Sequence, residues 1–182
     1  VVPDVLKYAH FAGGFESPFE GACAVWGDAA VWVPQALWTA YGDLDRLAAH
    51  YPGMVLHLES VIPRLSETGL WDQDMQLGDW LDPDASPHDP ANAKADKGVV
   101  ATASFYRSVA FTAKAARLLG KDADADRWAE LAGKIRTGFN THYVNRDGTI
   151  LSDCATVYAL AVCFGLLDDD QRAKAGDRLA EV

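Results

Sequence analysis

Two kinds of helical segment alternate along this chain, and that alternation restricts the fold more than any other feature. "GVVATASFYRSVAFTAKAARLLG" is apolar on most sides, and "DCATVYALAVCFG" nearly all round. "ADADRWAELAGKIRTGFNTHYV" instead gathers Trp128, Leu131, Ala132, Ile135 and Phe139 on one face. A helix that is apolar around its circumference has to be enclosed, whereas one with a polar face lies outside. The first helix, in "WGDAAVWVPQALWTAYGD", belongs with the inner set, with Asp28 placed to accept first-turn N–H groups and Pro34 bending it. The second spans about 44–66, with Leu44, Leu47, Ala48, Tyr51, Val55, Leu58 and Ile62 as its buried stripe and breaks or kinks at Pro52 and Pro63. A sixth begins at Asp168, where Gln171 completes a capping-box pattern, and the chain stops before that helix is complete. The expectation is an all-α fold of six helices, paired as three inner and three outer.

The connections alternate as well. Inner-to-outer turns are short (Gly42-Asp43, Gly120–Asp122, Leu166–Asp168), and outer-to-inner links are long, at about 67–97 and 144–153. Long loops therefore gather at one end of the stack, with Trp26, Asp28 and Asp153 on the same rim. Residues 1–20 read as an irregular lead-in to a single domain spanning 1–182. The inner helices begin near 28, 98 and 154, an unequal spacing that argues against a repeat solenoid.

A net charge of −10 and the absence of a polybasic block exclude a nucleic-acid surface. No apolar run reaches the roughly 18–20 residues that cross a bilayer, and no basic stretch precedes an apolar one at the N-terminus, so a soluble and cytoplasmic chain is favoured over a membrane partner. The three cysteines, Cys23, Cys154 and Cys163, do not form a disulfide pattern and read as small buried residues. His-x-x-x-His and Cys-x-x-Cys spacings are absent. Asp72-x-Asp74-x-Gln76 opens like a calcium loop but has Leu77 where the turn needs Gly, and Pro83 where a bidentate Glu belongs. No metal or cofactor is expected. His50 and His57 read as surface or boundary residues.

The loop "LWDQDMQLGDWLDPDASPHDP", residues 70–90, carries six aspartates, two tryptophans and three prolines. Tryptophan recurs beside aspartate: "WGD" at 26–28, "WD" at 71–72 and "GDWLD" at 78–82. An indole covers the apolar C–H face of a sugar, and a carboxylate accepts strong hydrogen bonds from its hydroxyls. The spacing alone is equally compatible with a capping Asp28, with Trp26 and Trp80 plugging the core edge, and with Asp82-Pro83-Asp84 as turn chemistry.

Three stretches in order, "WGDAAVWVPQALWTAYGDLDRLAAHYPGM", "GDWLDPDASPHDPANAKADKGVVATASFYRSV" and "SDCATVYALAVCFGLL", resemble the α-L-rhamnosidases of glycoside hydrolase family 78. The resemblance runs from about Val2 onward. It implies roughly half of an (α/α)6 toroid, and hydrolysis of terminal α-L-rhamnosides with inversion. In that family the general acid lies in an Arg-Glu motif followed by Gly-Trp-x-Gly-Asp, upstream of the matched part, and the base in a Trp-Glu motif downstream. The resemblance thus implies no catalytic carboxylate in this chain, which would be an inactive central fragment. What carries over is substrate binding at Trp26, Asp28, Asp79 and Trp80. The expected partners are a rhamnose-containing glycoside and the remainder of the catalytic domain, or self-association through exposed helix faces. Two alternatives stand beside it: another (α/α)6 carbohydrate-active enzyme, such as a trehalase-like or glucuronyl hydrolase, and a non-catalytic helical interaction module.

Overall fold

The computed structural model describes residues 22–73, 75–80, 82–89 and 92–182. The lead-in expected over 1–20 and the position of Asp74 lie outside the described residues. Among the described residues six α-helices follow in order: α1 (Ala29–Tyr41), α2 (Leu44–Val61), α3 (Lys97–Leu118), α4 (Asp122–Tyr143), α5 (Ala155–Phe164) and α6 (Asp169–Leu179). A short 3-10 turn, Ile62–Arg64, extends α2. Among the described residues the only β-type pairing is an isolated bridge between Val144 and Ile150.

Side-chain caps fix several starts. Asp43 accepts from the Arg46 N–H at the head of α2, and Asp96 from the Val99 N–H at the head of α3. At α6 the reciprocal Asp168–Gln171 capping box is complete. Pro63 falls in the 3-10 turn that terminates α2, because it cannot continue the hydrogen-bond ladder. Pro52 does not break the helix, which runs through it unbroken. α6 ends at Leu179 with Ala180 as its cap.

The central helix is α3, which packs against α1, α2, α4 and α5. Its buried positions include Val99, Ala101, Phe105, Val109 and Ala115, on all sides of the helix, as its apolar circumference requires. The stripe on α2 is Leu47, Tyr51, Met54, His57, Leu58 and Val61. Leu44 and Ala48, expected inside, are exposed, and Met54, His57 and Val61 take their place. Tracking at i+3 and i+4 from Leu47 and Tyr51 reaches these positions, whereas starting the stripe at Leu44 rotates it off the core.

Between α4 and α2, Tyr51 donates to Asp124 (2.9 Å) and receives the Trp128 indole N–H (3.2 Å). Burial pushes the Tyr51 hydroxyl up to about 12, so it stays a donor at any physiological pH. Arg136 on α4 donates to the Leu166 and Leu167 carbonyls (3.0 and 2.7 Å), which fixes the turn between α5 and α6. By contrast α1 and α5, both assigned to the inner set, bury only Ala30, Val31 and Pro34 and only Val157, Tyr158 and Ala161, respectively. The two flanks of the inner layer therefore leave apolar surface uncovered in the described structure. No described helix is long and apolar enough to cross a membrane.

Candidate carbohydrate-binding rim

The N-terminal ends of α1 and α5 and the loop leading into α3 are stitched together by long-range hydrogen bonds. The Ala24 N–H donates to Gln76 Oε1 (2.8 Å), joining the turn before α1 to the acidic loop. Thr156, in the first turn of α5, donates its hydroxyl to Asp79 Oδ2 (2.6 Å). The Asp96 N–H at the foot of the loop donates to Ser152 Oγ (2.8 Å). The rim inferred from loop lengths is thus a connected structure.

Asp82 organises the loop itself. Its two oxygens accept the N–H groups of Asp84 and Lys94, each at 2.9 Å, and Lys94 also pairs with Asp84. These backbone donors, Lys94 first, hold the Asp82 carboxyl below the usual range. Among the described residues no group of three or more His, Cys, Asp or Glu side chains is placed to hold a metal ion.

Each sequence-predicted site residue has a distinct place. Trp26 is 55% exposed and Trp80 41% exposed, both unusually open for tryptophan. Asp79 is half-buried, with Oδ2 engaged by Thr156. Asp28 is fully buried. It occupies the N-cap position of α1 without capping it; its own backbone is already helical there, so its side chain turns away from the first-turn N–H groups. It bonds instead to the Val25 N–H (2.8 Å, Oδ2), His57 Nε2 (3.0 Å, Oδ1) and Ser108 Oγ (2.5 Å, Oδ1). The third tryptophan–aspartate pair does not join the rim. Trp71 is fully buried and meets Phe105 edge-on, with centroids 5.8 Å apart.

The "WGD" turn has a clear division of labour. Val25 adopts φ 68°, a left-handed conformation that costs a β-branched residue on the order of 1–3 kcal/mol. Its N–H is clasped by Asp28, which offsets that strain. A Cβ at Gly27 would lie 2.9 Å from the Cys23 carbonyl oxygen and 3.1 Å from His57 Cε1, so only glycine fits between the turn and α2. The glycine allows the close approach, the aspartate anchors the turn inward, and the tryptophan is left outside.

Sequence reasoning missed His57, Ser108, Gln76 and Thr156. His57 was detectable as the third residue after Met54 and the fourth before Val61, on the buried face. Ser108 was detectable as a polar residue inside a helix apolar on most sides, where a hydroxyl needs a partner.

A second strained turn precedes α5. Ser152 and Asp153 adopt φ 76° and 39°. Asp153 accepts two bonds from Arg178 (3.0 and 2.7 Å) and one from the Tyr158 hydroxyl (2.5 Å). The Arg178 guanidinium first, then Tyr158, hold its carboxyl down at about 2. An unfolded aspartate titrates near ~3.9, so this contribution to stability is complete above that value and disappears as pH falls through about 2. Urea unfolding of Asp153→Asn, which keeps the backbone compatible, should show a destabilisation at pH 5 that shrinks steadily towards pH 2.5. A gap independent of pH would remove the ion pair from the account.

The described residues form an all-α array of paired helices, with the loops before α1, α3 and α5 joined at one end. The profile of the bacterial alpha-L-rhamnosidase 6 hairpin glycosidase domain matches residues 2–182. An alpha-L-rhamnosidase of Streptomyces avermitilis is 38% identical over 156 residues, covering 86% of this chain and 14% of that protein. One of Alteromonas sp. is 30% identical over 154 residues, covering 80% of this chain and 16% of that protein. The crystal structure of the native Aspergillus terreus alpha-L-rhamnosidase superimposes with a TM-score of 0.84 at 32% identity, over 89% of this chain and 19% of that one. The Streptomyces avermitilis enzyme in complex with L-rhamnose gives 0.77 at 36% identity, over 87% of this chain and 14% of that one. The chain belongs to the bacterial alpha-L-rhamnosidase six-hairpin glycosidase domain family, and it spans about a seventh of the length of the first of these relatives.

Proposed function

We propose that this chain supplies part of the sugar-binding rim of an inverting glycosidase that hydrolyses terminal α-L-rhamnosides. The observation that carries the reading is the pair of exposed indoles, Trp26 and Trp80, each on a turn secured by a neighbouring aspartate at the long-loop end of the helices. The Streptomyces avermitilis structure, which holds L-rhamnose and shares this fold at 36% identity, supports the choice of sugar. Trp26 and Trp80 act as stacking surfaces. Asp79, with one oxygen held by Thr156, presents the other to a sugar hydroxyl. Asp28 stands one step behind, fixing the turn that carries Trp26.

Inversion requires a general acid and a general base about 6.5–9.5 Å apart with water between them. In this proposal both belong to polypeptide outside the present chain, and the apolar flanks of α1 and α5 are covered by that remainder of the domain or, in its absence, by a second copy. The test uses the full polypeptide carrying this chain. Trp80→Ala should raise KM for an aryl α-L-rhamnoside about tenfold, the equivalent of about 1.4 kcal/mol of lost stacking. Asp79→Asn should raise it by a smaller factor. Unchanged kinetics in both variants would remove the loop from the sugar site.

A further inference from the structure

We propose that His57 and Ser108 are positioning residues for Trp26, acting through Asp28; this rests on the sugar-binding reading above. Neither side chain can touch a ligand itself. His57 is 7% exposed and Ser108 is fully buried, and both donate to the same oxygen of Asp28. The other Asp28 oxygen holds the Val25 N–H. Three helices therefore converge on one carboxylate: α1, which Asp28 precedes, α2 through His57 and α3 through Ser108.

The arrangement is more than a satisfied buried charge. The carboxylate's outward bond goes to a valine in the left-handed region, immediately before the exposed tryptophan. Relaxing Val25 to an ordinary backbone conformation would rotate the following peptide and redirect the Trp26 side chain. The Trp26 N–H bonds back to the Ala24 carbonyl (2.8 Å), and Ala24 in turn bonds Gln76 of the loop that carries Trp80. Removing a donor from Asp28 Oδ1 lets the carboxylate shift towards its remaining partner and loosens its grip on Val25. The consequence is a misaimed indole in a protein that remains folded.

The experiment uses the full polypeptide carrying this chain, with Ser108→Ala and His57→Leu as the disruptive variants and Ser108→Cys and His57→Gln as the conservative ones. The first readout needs no sugar: the Trp26 component of the fluorescence, obtained by difference from Trp26→Phe, and its quenching by iodide. Ser108→Ala and His57→Leu should change that component, and His57→Gln should restore it in part. The second readout is KM for an aryl α-L-rhamnoside, expected to rise about three- to tenfold in Ser108→Ala with a smaller change in kcat, and to show no further rise when Trp26→Ala is already present.

An unaltered Trp26 component in both disruptive variants would overturn the proposal. So would a KM increase of equal size with and without Trp26. If Ser108→Ala does not fold, Ser108→Cys and the His57 pair carry the same comparison. A changed Trp26 component alongside a Trp26→Ala variant with unaltered KM would uphold the positioning role and reject Trp26 as a sugar contact.

Discussion

Gly138→Ala should cost about 3–5 kcal/mol of stability, a large effect for the addition of one methyl group. A Cβ at Gly138 would stand 2.2 Å from the Thr68 carbonyl oxygen, far inside van der Waals contact, and 3.4 Å from Leu70 Cδ2. The obstacle is backbone, and that backbone is held. The Ser66 N–H donates to the Leu70 carbonyl (2.8 Å), the Gly69 N–H to the Ser66 carbonyl (2.9 Å), and the Leu70 N–H to Ser66 Oγ (3.1 Å). The turn at 66–70 cannot move without surrendering these bonds and lifting Leu70 and Trp71 from the core. Gly133 on the same helix is the control, because a Cβ there meets nothing within 4 Å. Gly133→Ala should stabilise by about 0.5–1 kcal/mol through helix propensity. Urea unfolding of the two variants measures both effects, and equal stability would show that α4 and the turn are not in contact.

Trp71→Ala should cost about 3–5 kcal/mol, in the range of large aromatic truncations in a packed core. Trp71 has no exposed surface and packs edge-on against Phe105 at an interplanar angle of 72°, while its backbone N–H donates to Thr102 Oγ1 at 3.0 Å. It also anchors the start of the acidic loop in the core. Under the proposed function its loss should also raise KM for an aryl α-L-rhamnoside in the full polypeptide, since Asp79 and Trp80 lie on that loop. Trp71→Phe, which keeps an aromatic surface, should lose about half as much. A Trp71→Ala protein with unchanged melting behaviour would contradict its place in the core.

These two variants show where reading the sequence succeeded and where it could not. Trp71 and Trp80 sit in the same acidic loop, each beside an aspartate, and nothing local distinguishes them. One is fully buried and the other 41% exposed. The difference comes from α3, whose Phe105 and Thr102 receive Trp71, more than thirty positions further along the chain. The stripe on α2 illustrates the same limit on a smaller scale. Helical spacing was correct, but its phase depended on α3, against which α2 packs, and the core drew in His57 where a boundary residue was expected.

The helices, their order and several of their caps follow from the sequence alone, because periodicity, proline, glycine and short polar caps act over a few residues. The inner and outer layers follow too, since a helix apolar on most sides has few places to go. Which tryptophans face outward, and what Asp28 does, only the tertiary structure decided. The partners of Asp28 lie 29 and 80 positions away in sequence, on two other helices. A carboxylate beside an indole reads the same in one dimension whether it faces a ligand or the core. Only the approach of α2 and α3 commits Asp28 to the interior and leaves Trp26 outside.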